Sequence, residues 1–190
     1  MFELILKNIA KHIELAPEEV EYFTSILKPK ALRKRQYFLQ AGDISRHECF
    51  VNKGCIRTYN VDEKGQEHVV QFAIEGWWAG DLYSFLSAQP SEYNIDALED
   101  SELFLIDKNN LEQLYTRVPK FERFFRILLQ NAFIASQRRI SENLSLPAEE
   151  RYISFIQRYP RFEQRLPLRQ IASFLGITPE SLSRIRGKKV

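Results

Sequence analysis

The chain has 190 residues, of which 44% are hydrophobic, and a formal net charge of +2, which allows one sizeable core and a smaller satellite. Its apolar runs are short and broken by charge, and no basic region followed by an apolar stretch and a small-residue cleavage site opens it. A membrane span and export are therefore not expected, and the chain reads as cytoplasmic.

In chain order, Phe2 to Ile13 places Leu4, Ile5, Ile9 and Ile13 at helical spacing, and Pro17 opens a second short helix through about Leu27. From Arg33 to Ile106 the pattern changes to short strands: Tyr37 to Gln40, His47 to Val51, Ile56 to Val61, His68 to Ile74, Asn94 to Leu98 and Leu103 to Ile106. Turn signals such as Lys53-Gly54, Glu75-Gly76 and Ala79-Gly80-Asp81 separate them, a spacing that suggests a compact barrel or roll. Trp77 and Trp78 are adjacent in this region, so in an extended strand they face opposite ways, with core packing favoured over ligand stacking. Asp107 caps a short helix from Lys108 to Tyr115.

A much longer helix runs from Pro119 to about Leu146. Phe121, Phe125, Leu128, Ala132 and Ala135 form one apolar row, and Phe124, Ile127, Phe133, Ile134 and Ile140 widen the apolar surface beyond one stripe. Such a helix needs cover on more than one side, from the roll and from a second copy of itself. The alternative is a central helix buried within one protomer, and Arg123, Arg126, Arg138 and Arg139 argue against complete burial. Pro147 breaks this helix at the start of the next, Ala148 to Tyr159, which Pro160 ends. The expected division is therefore 1–116 for the β-rich domain with its N-terminal helices, 117–146 for the dimerisation helix and 147–190 for a small helical domain.

Charge follows the same division. Residues 1–116 hold 12 Lys and Arg against 19 Asp and Glu, a net −7, while residues 117–190 hold 15 against 6, a net +9. A basic segment joined to an acidic body is expected where only one part meets a polyanion.

Within the basic segment, Leu166 to Lys189 suits two short helices packed at a sharp angle. Ile171, Phe174 and Leu175 supply an inward face, and Ala172 is small where helices cross. Gly176 can adopt the left-handed conformation that ends a helix, and Ile177 plugs the corner. Thr178 is a good N-cap with Pro179 at the first helical position. With Leu182 and Ile185 inward, Glu180, Ser183, Arg184, Gly187 and Lys188 fall on the outer face. That face suits the major groove: arginine pairs bidentately with guanine, glutamate accepts from cytosine, and serine serves base or phosphate. Thr178, Glu180, Ser181, Ser183 and Arg184 are the candidate readers, and Arg169, Lys188 and Lys189 the candidate phosphate contacts.

This sequence resembles the Crp/Fnr family of bacterial transcription regulators over essentially its whole length, most specifically at Ile171 to Arg186 with its Leu-Gly-Ile-Thr-Pro-Glu-Ser-Leu-Ser-Arg-Ile-Arg run. The resemblance implies an α+β fold: a cyclic nucleotide-binding-like β-roll of jelly-roll type, a long dimerisation helix and a C-terminal helix-turn-helix. It also implies a homodimer on palindromic double-stranded DNA, with RNA polymerase as a further candidate partner, and it places Glu180 and Arg184 at base-reading positions. Pro179 stands where the cyclic-AMP receptor has an arginine, so a different operator preference is expected. After the recognition helix, the β-hairpin wing that many relatives add is not expected here.

The same resemblance makes Ala79-Gly80-Asp81-Leu82 the counterpart of the turn that contacts a cyclic nucleotide's ribose. Trp78, Gly80, Asp81, Leu82, Ser91 and Glu92 are thus the candidate ligand pocket. Where relatives carry an arginine and a serine for the phosphate, this chain reads Ser91-Glu92, and a glutamate beside a phosphodiester repels it. No cysteine cluster precedes Cys49, as the oxygen-sensing branch requires. The expected function is a DNA-binding regulator whose effector is not cyclic AMP; the alternative is a sensor of a cyclic nucleotide or another small molecule in the roll. Cys49 and Cys55 lack paired spacing and His12, His47 and His68 are scattered, so no metal and no cofactor are expected. With no nucleophile elbow or phosphate loop, an enzyme is not expected.

Overall fold

The structure, a computed structural model, describes residues 1–187. The candidate phosphate contacts Lys188 and Lys189 lie outside the described residues. The chain condenses into two units, residues 1–60 with 71–130 and residues 61–70 with 131–190. Strand β5 (Glu67–Ile74) and helix α5 (Lys120–Ser145) each contribute to both.

The first unit opens with α1 (Glu3–Ala10) and α2 (Pro17–Ser25), followed by strands β1 (Lys28–Leu32), β2 (Tyr37–Leu39), β3 (His47–Lys53), β4 (Cys55–Val61) and β5. Next come β6 (Trp78–Ala79), α3 (Leu82–Ser87), β7 (Asn94–Ala97), β8 (Ser101–Asp107), α4 (Lys108–Arg117) and the start of α5. The strands form two four-stranded sheets ordered β1-β8-β3-β6 and β2-β7-β4-β5. Pairing is antiparallel for β1 with β8, β3 with both β8 and β6, and β7 with both β2 and β4. The α+β roll expected from the sequence is thus present.

Period-two alternation explains the core. On β3, Cys49 and Val51 join Leu39, Ile56, Ile95, Ala97, Leu103 and Leu105 inside the roll, while Phe50 points the other way into a helical cluster. That second cluster gathers Ile5 and Ile9 of α1, Phe23 of α2, Leu111 and Leu114 of α4, and Phe121 and Phe124 of α5. Cys49 and Cys55 are buried, free thiols that act as small core residues.

Three elements of the first unit differ from the sequence expectation. Strand β1, Lys-Pro-Lys-Ala-Leu, is an edge strand exposed at all but Leu32, so it has no hydrophobic alternation to announce it. Strand β6 is two residues long, and α3 is a six-residue helix whose N-cap Asp81 accepts from the Ser84 amide at 3.2 Å.

The second unit comprises the hairpin tip 61–70, the rest of α5, α6 (Ala148–Arg158), α7 (Phe162–Arg165), α8 (Leu168–Phe174) and α9 (Pro179–Gly187). Its core is Tyr152, Phe155, Phe162, Leu166, Ile171, Ala172, Leu175, Leu182 and Ile185, all buried. Among the described residues no helix is long and apolar enough to cross a membrane, and no group of three or more potential metal ligands forms.

Candidate nucleic-acid interface

Helices α8 and α9 are joined by the four residues Leu175 to Thr178. Gly176 takes φ +64°, and the amides of Gly176 and Ile177 donate back to the carbonyls of Ser173 (3.1 Å) and Ala172 (3.0 Å). This pair of reversed bonds satisfies the carbonyls that a helix end leaves open, and it fixes the angle at which the chain leaves α8. Arg151 of α6 reinforces the corner by donating from Nη1 to the Leu175 carbonyl at 2.7 Å. Thr178 then caps α9, its Oγ1 accepting from the Ser181 amide at 3.2 Å.

On α9, Leu182 and Ile185 face inward, which leaves Glu180, Ser183, Arg184 and Gly187 exposed on the outer face. The Glu180 carboxyl is held below its ordinary range by its own backbone amide and the Thr178 hydroxyl, with Arg184 adding attraction. Ser181, half-buried, accepts from Arg184 Nη2 at 3.4 Å and shares a 3.2 Å contact with the Thr178 hydroxyl. Arg169, on α8, is exposed. Six of the eight predicted DNA-contact residues are therefore described, and five of these, all but Ser181, are exposed. Arg186 is committed elsewhere: its Nε lies 3.2 Å from Glu163, which also accepts from the Tyr152 hydroxyl.

Two supports carried no sequence signal. Ser173 of α8 accepts from the Val69 amide at 2.9 Å and donates to the Glu67 carbonyl at 2.7 Å, so one hydroxyl clasps two backbone groups of β5. Beside it Arg139 Nη1 donates to the Val70 carbonyl at 2.8 Å while its guanidinium covers the Phe174 ring at 4.8 Å. Both side chains reach partners about seventy or more residues away, beyond the range of any spacing rule.

The predicted dimer row on α5 divides. Phe121 is fully buried and stacks on Phe23 at 4.7 Å, so it belongs to the protomer's own core. Phe125 and Leu128 are half-buried at the edge of that core, and Ala132 and Ala135 are exposed. The exposed apolar surface lies further along the helix, at Leu129 (50% exposed), Phe133 (64%), Ile134 (55%) and Ile140 (47%).

The predicted ligand-pocket residues divide as well. Asp81 and Ser91 are buried and meet, Ser91 Oγ donating to Asp81 Oδ2 at 2.6 Å, whereas Leu82 and Glu92 are exposed. Trp78 packs outward against Phe50 and Phe125, with ring centroids 5.5 and 5.1 Å away, and it is Trp77 that lies against the roll interior. Gly80 abuts the Glu48 carboxyl, which fills the room a Cβ would need. A cleft of about 460 Å³ opens nearby, lined by Phe38, Leu39 and residues 42–47.

Residues 29–118 match the family model of the cyclic nucleotide-binding domain. Electron transport regulator A of Shewanella oneidensis is 28% identical to this chain across 92% of it and 74% of its own length. Regulatory protein HlyX of Actinobacillus pleuropneumoniae is 29% identical across 92% and 77%. Among solved structures, FixK2 from Bradyrhizobium japonicum is similar with a TM-score of 0.74 at 17% identity, covering 86% of this chain and 84% of that one. The c-di-GMP responsive global regulator CLP of Xanthomonas campestris has a TM-score of 0.73 at 17% identity, covering 91% of each chain. At those identities the structural likeness is one of fold.

Proposed function

We propose, from its likeness to the regulators above, that the chain is a Crp/Fnr-family transcription regulator that reads double-stranded DNA as a cytoplasmic homodimer, each protomer placing α9 in the major groove of a palindromic operator. The observation that carries this is the outer face of α9, capped at Thr178 and presenting Glu180, Ser183 and Arg184 to solvent. In this reading Arg184 and Glu180 address base edges, Ser181 and Ser183 serve base or phosphate, and Arg169 with Lys188 and Lys189 holds the phosphate backbone. Residues 1–116 form the sensor body, 117–146 the dimerisation helix and 147–190 the DNA-binding head, with RNA polymerase a further partner of the assembled complex. Dimerisation is supported by the exposed apolar run from Leu129 to Ile140, which water disfavours and a second α5 covers.

Binding to operator fragments at several salt concentrations tests the reading. Arg184→Ala is expected to flatten discrimination at one base pair per half-site by about 1–3 kcal/mol while leaving the salt slope near the wild-type value. Arg169→Ala is expected to weaken all sequences alike and reduce the salt slope by about 1 per protomer. A salt-independent affinity for the parent protein would remove the electrostatic basis of the assignment.

The effector of the roll is not cyclic AMP in this reading. Asp81 already accepts from the Ser84 amide and the Ser91 hydroxyl, and the position expected to pair with a phosphodiester holds the exposed carboxyl of Glu92. Calorimetric titration with cyclic AMP is expected to give no saturable heat; tight saturable binding would overturn the exclusion. The cleft beside Phe38 and residues 42–47 favours, as a second reading, a different small molecule in the roll.

A further inference from the structure

The turn between β6 and α3 is filled from within. Glu48 of β3 stands on the face shared with Phe50, opposite Ile106 of β8, and its carboxyl presses on Gly80 so closely that any Cβ there would collide with it. The Oε1 atom is sealed from solvent and has no hydrogen-bond partner, and no cation pairs with Glu48 among the described residues. The next residue in the turn is Asp81, a second buried carboxyl group. Trp78, on the strand β6 that leads into this turn, likewise has its indole N–H buried without a partner. Glu48 as a residue is half-buried, but at Oε1 its carboxylate lacks water and a donor, and no cation stands beside it among the described residues, so the ionised form is poorly stabilised there.

No group on the surrounding elements supplies what is missing. Tyr115 of α4 is pushed up to about 12 by burial, then by Glu112, Glu122 and Glu48, so it offers no charge compensation. The Cys49 thiol is raised by burial and by Glu48 in turn. On α1, Glu3 and Lys7 pair with each other at the surface, and His12, beyond the end of that helix, lies against the Phe124 ring. His47, the strand neighbour of Glu48, sits among Lys28, Arg46 and Asp107, and Tyr83 of α3 is exposed. The aromatic groups of α5 that meet Trp78, Phe124 and Phe125, carry no charge.

We propose that the ligand this turn reads is the proton: Glu48 holds one while packed against Gly80, and its loss forces water into the β6–α3 turn and loosens the start of α3. Burial, and then the proximity of Asp81, move the Glu48 carboxyl up from its ordinary 4.5 to about 7. The sign follows from that direction. Because the folded state holds the proton more tightly than the unfolded chain, the stabilisation is complete below the ordinary carboxylate range and disappears as pH rises through neutrality. Gly80 and Asp81, the residues by which this turn resembles a ribose contact, then serve an occupant supplied by the protein itself.

The inference concerns the first unit alone and stands whether or not the chain binds DNA. Isotope-edited NMR of glutamate carboxyls in the full chain, with amide exchange of residues 78–85 corrected for its intrinsic pH dependence, tests it. In the parent protein one glutamate is expected to titrate near neutrality, a resonance missing from Glu48→Gln. Exchange at residues 78–85 should rise about tenfold across the same midpoint in the parent and stay level in the variant. Asp81→Asn, which keeps an N-cap side chain, is expected to lower the midpoint by removing the neighbouring charge. Titration of every glutamate in the ordinary range would overturn the proposal, as would a Glu48→Gln protein with the parent's exchange step or an unmoved midpoint in Asp81→Asn.

Discussion

Replacing Phe133 with glutamate is expected to yield a folded monomer that binds a palindromic operator about a hundredfold or more weakly than the parent protein. Phe133 is 64% exposed, so the substitution removes no contact from the protomer's own core. Between two α5 helices, however, the same position would bring two carboxylates into an apolar seam, where each loses its hydration without gaining a counter-charge. A dimer engages its second half-site as an intramolecular event, and a monomer loses that advantage altogether. Sedimentation with parallel circular dichroism separates dissociation from misfolding, and fluorescence anisotropy reports operator affinity. A Phe133→Glu protein that remains dimeric and binds normally would show that the Leu129 to Ile140 face is not the dimer interface. Phe121→Glu should behave differently: that ring is fully buried against Phe23, so the protomer itself should lose stability.

The second large effect concerns folding alone. On the outer face of the β2-β7-β4-β5 sheet, Arg57 of β4 and Asp96 of β7 face each other in register and form a bidentate pair, Nε to Oδ1 at 2.7 Å and Nη2 to Oδ2 at 3.0 Å. Both residues are buried, and the Tyr59 ring lies 3.9 Å from the guanidinium carbon. Asp96→Ala is expected to cost about 3–5 kcal/mol of unfolding free energy, because it removes the bidentate acceptor of a buried guanidinium that cannot discharge by losing its proton. Replacing the pair together by apolar residues of similar volume should cost markedly less. Urea denaturation of the two variants decides the matter: equal losses would mean that packing, rather than the lost ion pair, sets the cost.

Where a residue's neighbours in space are also its neighbours in sequence, the chain disclosed its structure. The short runs of β3 to β5 between turn residues, the cap at Asp107 and the Gly176-Ile177-Thr178 corner all depend on features within a few residues. The outer face of α9 was legible for the same reason, since helical geometry alone sets which side Glu180, Ser183 and Arg184 occupy. Elements without an internal pattern stayed hidden. Strand β1 is exposed at four of five positions and is defined only by pairing with β8, and α3 is too short for a periodicity to develop.

Long-range chemistry was equally silent. The apolar row from Phe121 to Ala135 is continuous in sequence, yet its first member belongs to the protomer's core and its last two face outward, because packing against α1 and α2 ends partway along α5. The meeting of Arg57 with Asp96, of Glu48 with Gly80, and of Ser173 with the β5 backbone each joins residues more than thirty positions apart. Asp81 illustrates the limit best: its type and turn context invited a ligand role, and only the fold reveals that Ser84 and Ser91 already occupy its oxygens.

Strand β5 is the last member of its sheet, and a terminal strand offers a row of open amides and carbonyls on which a foreign chain could polymerise. Ser173 of α8 and Arg139 of α5 take backbone groups of Glu67, Val69 and Val70, so these two side chains guard that stretch of the strand against aggregation. Damage to Ser173 would therefore be expected to surface first as protein lost to aggregation.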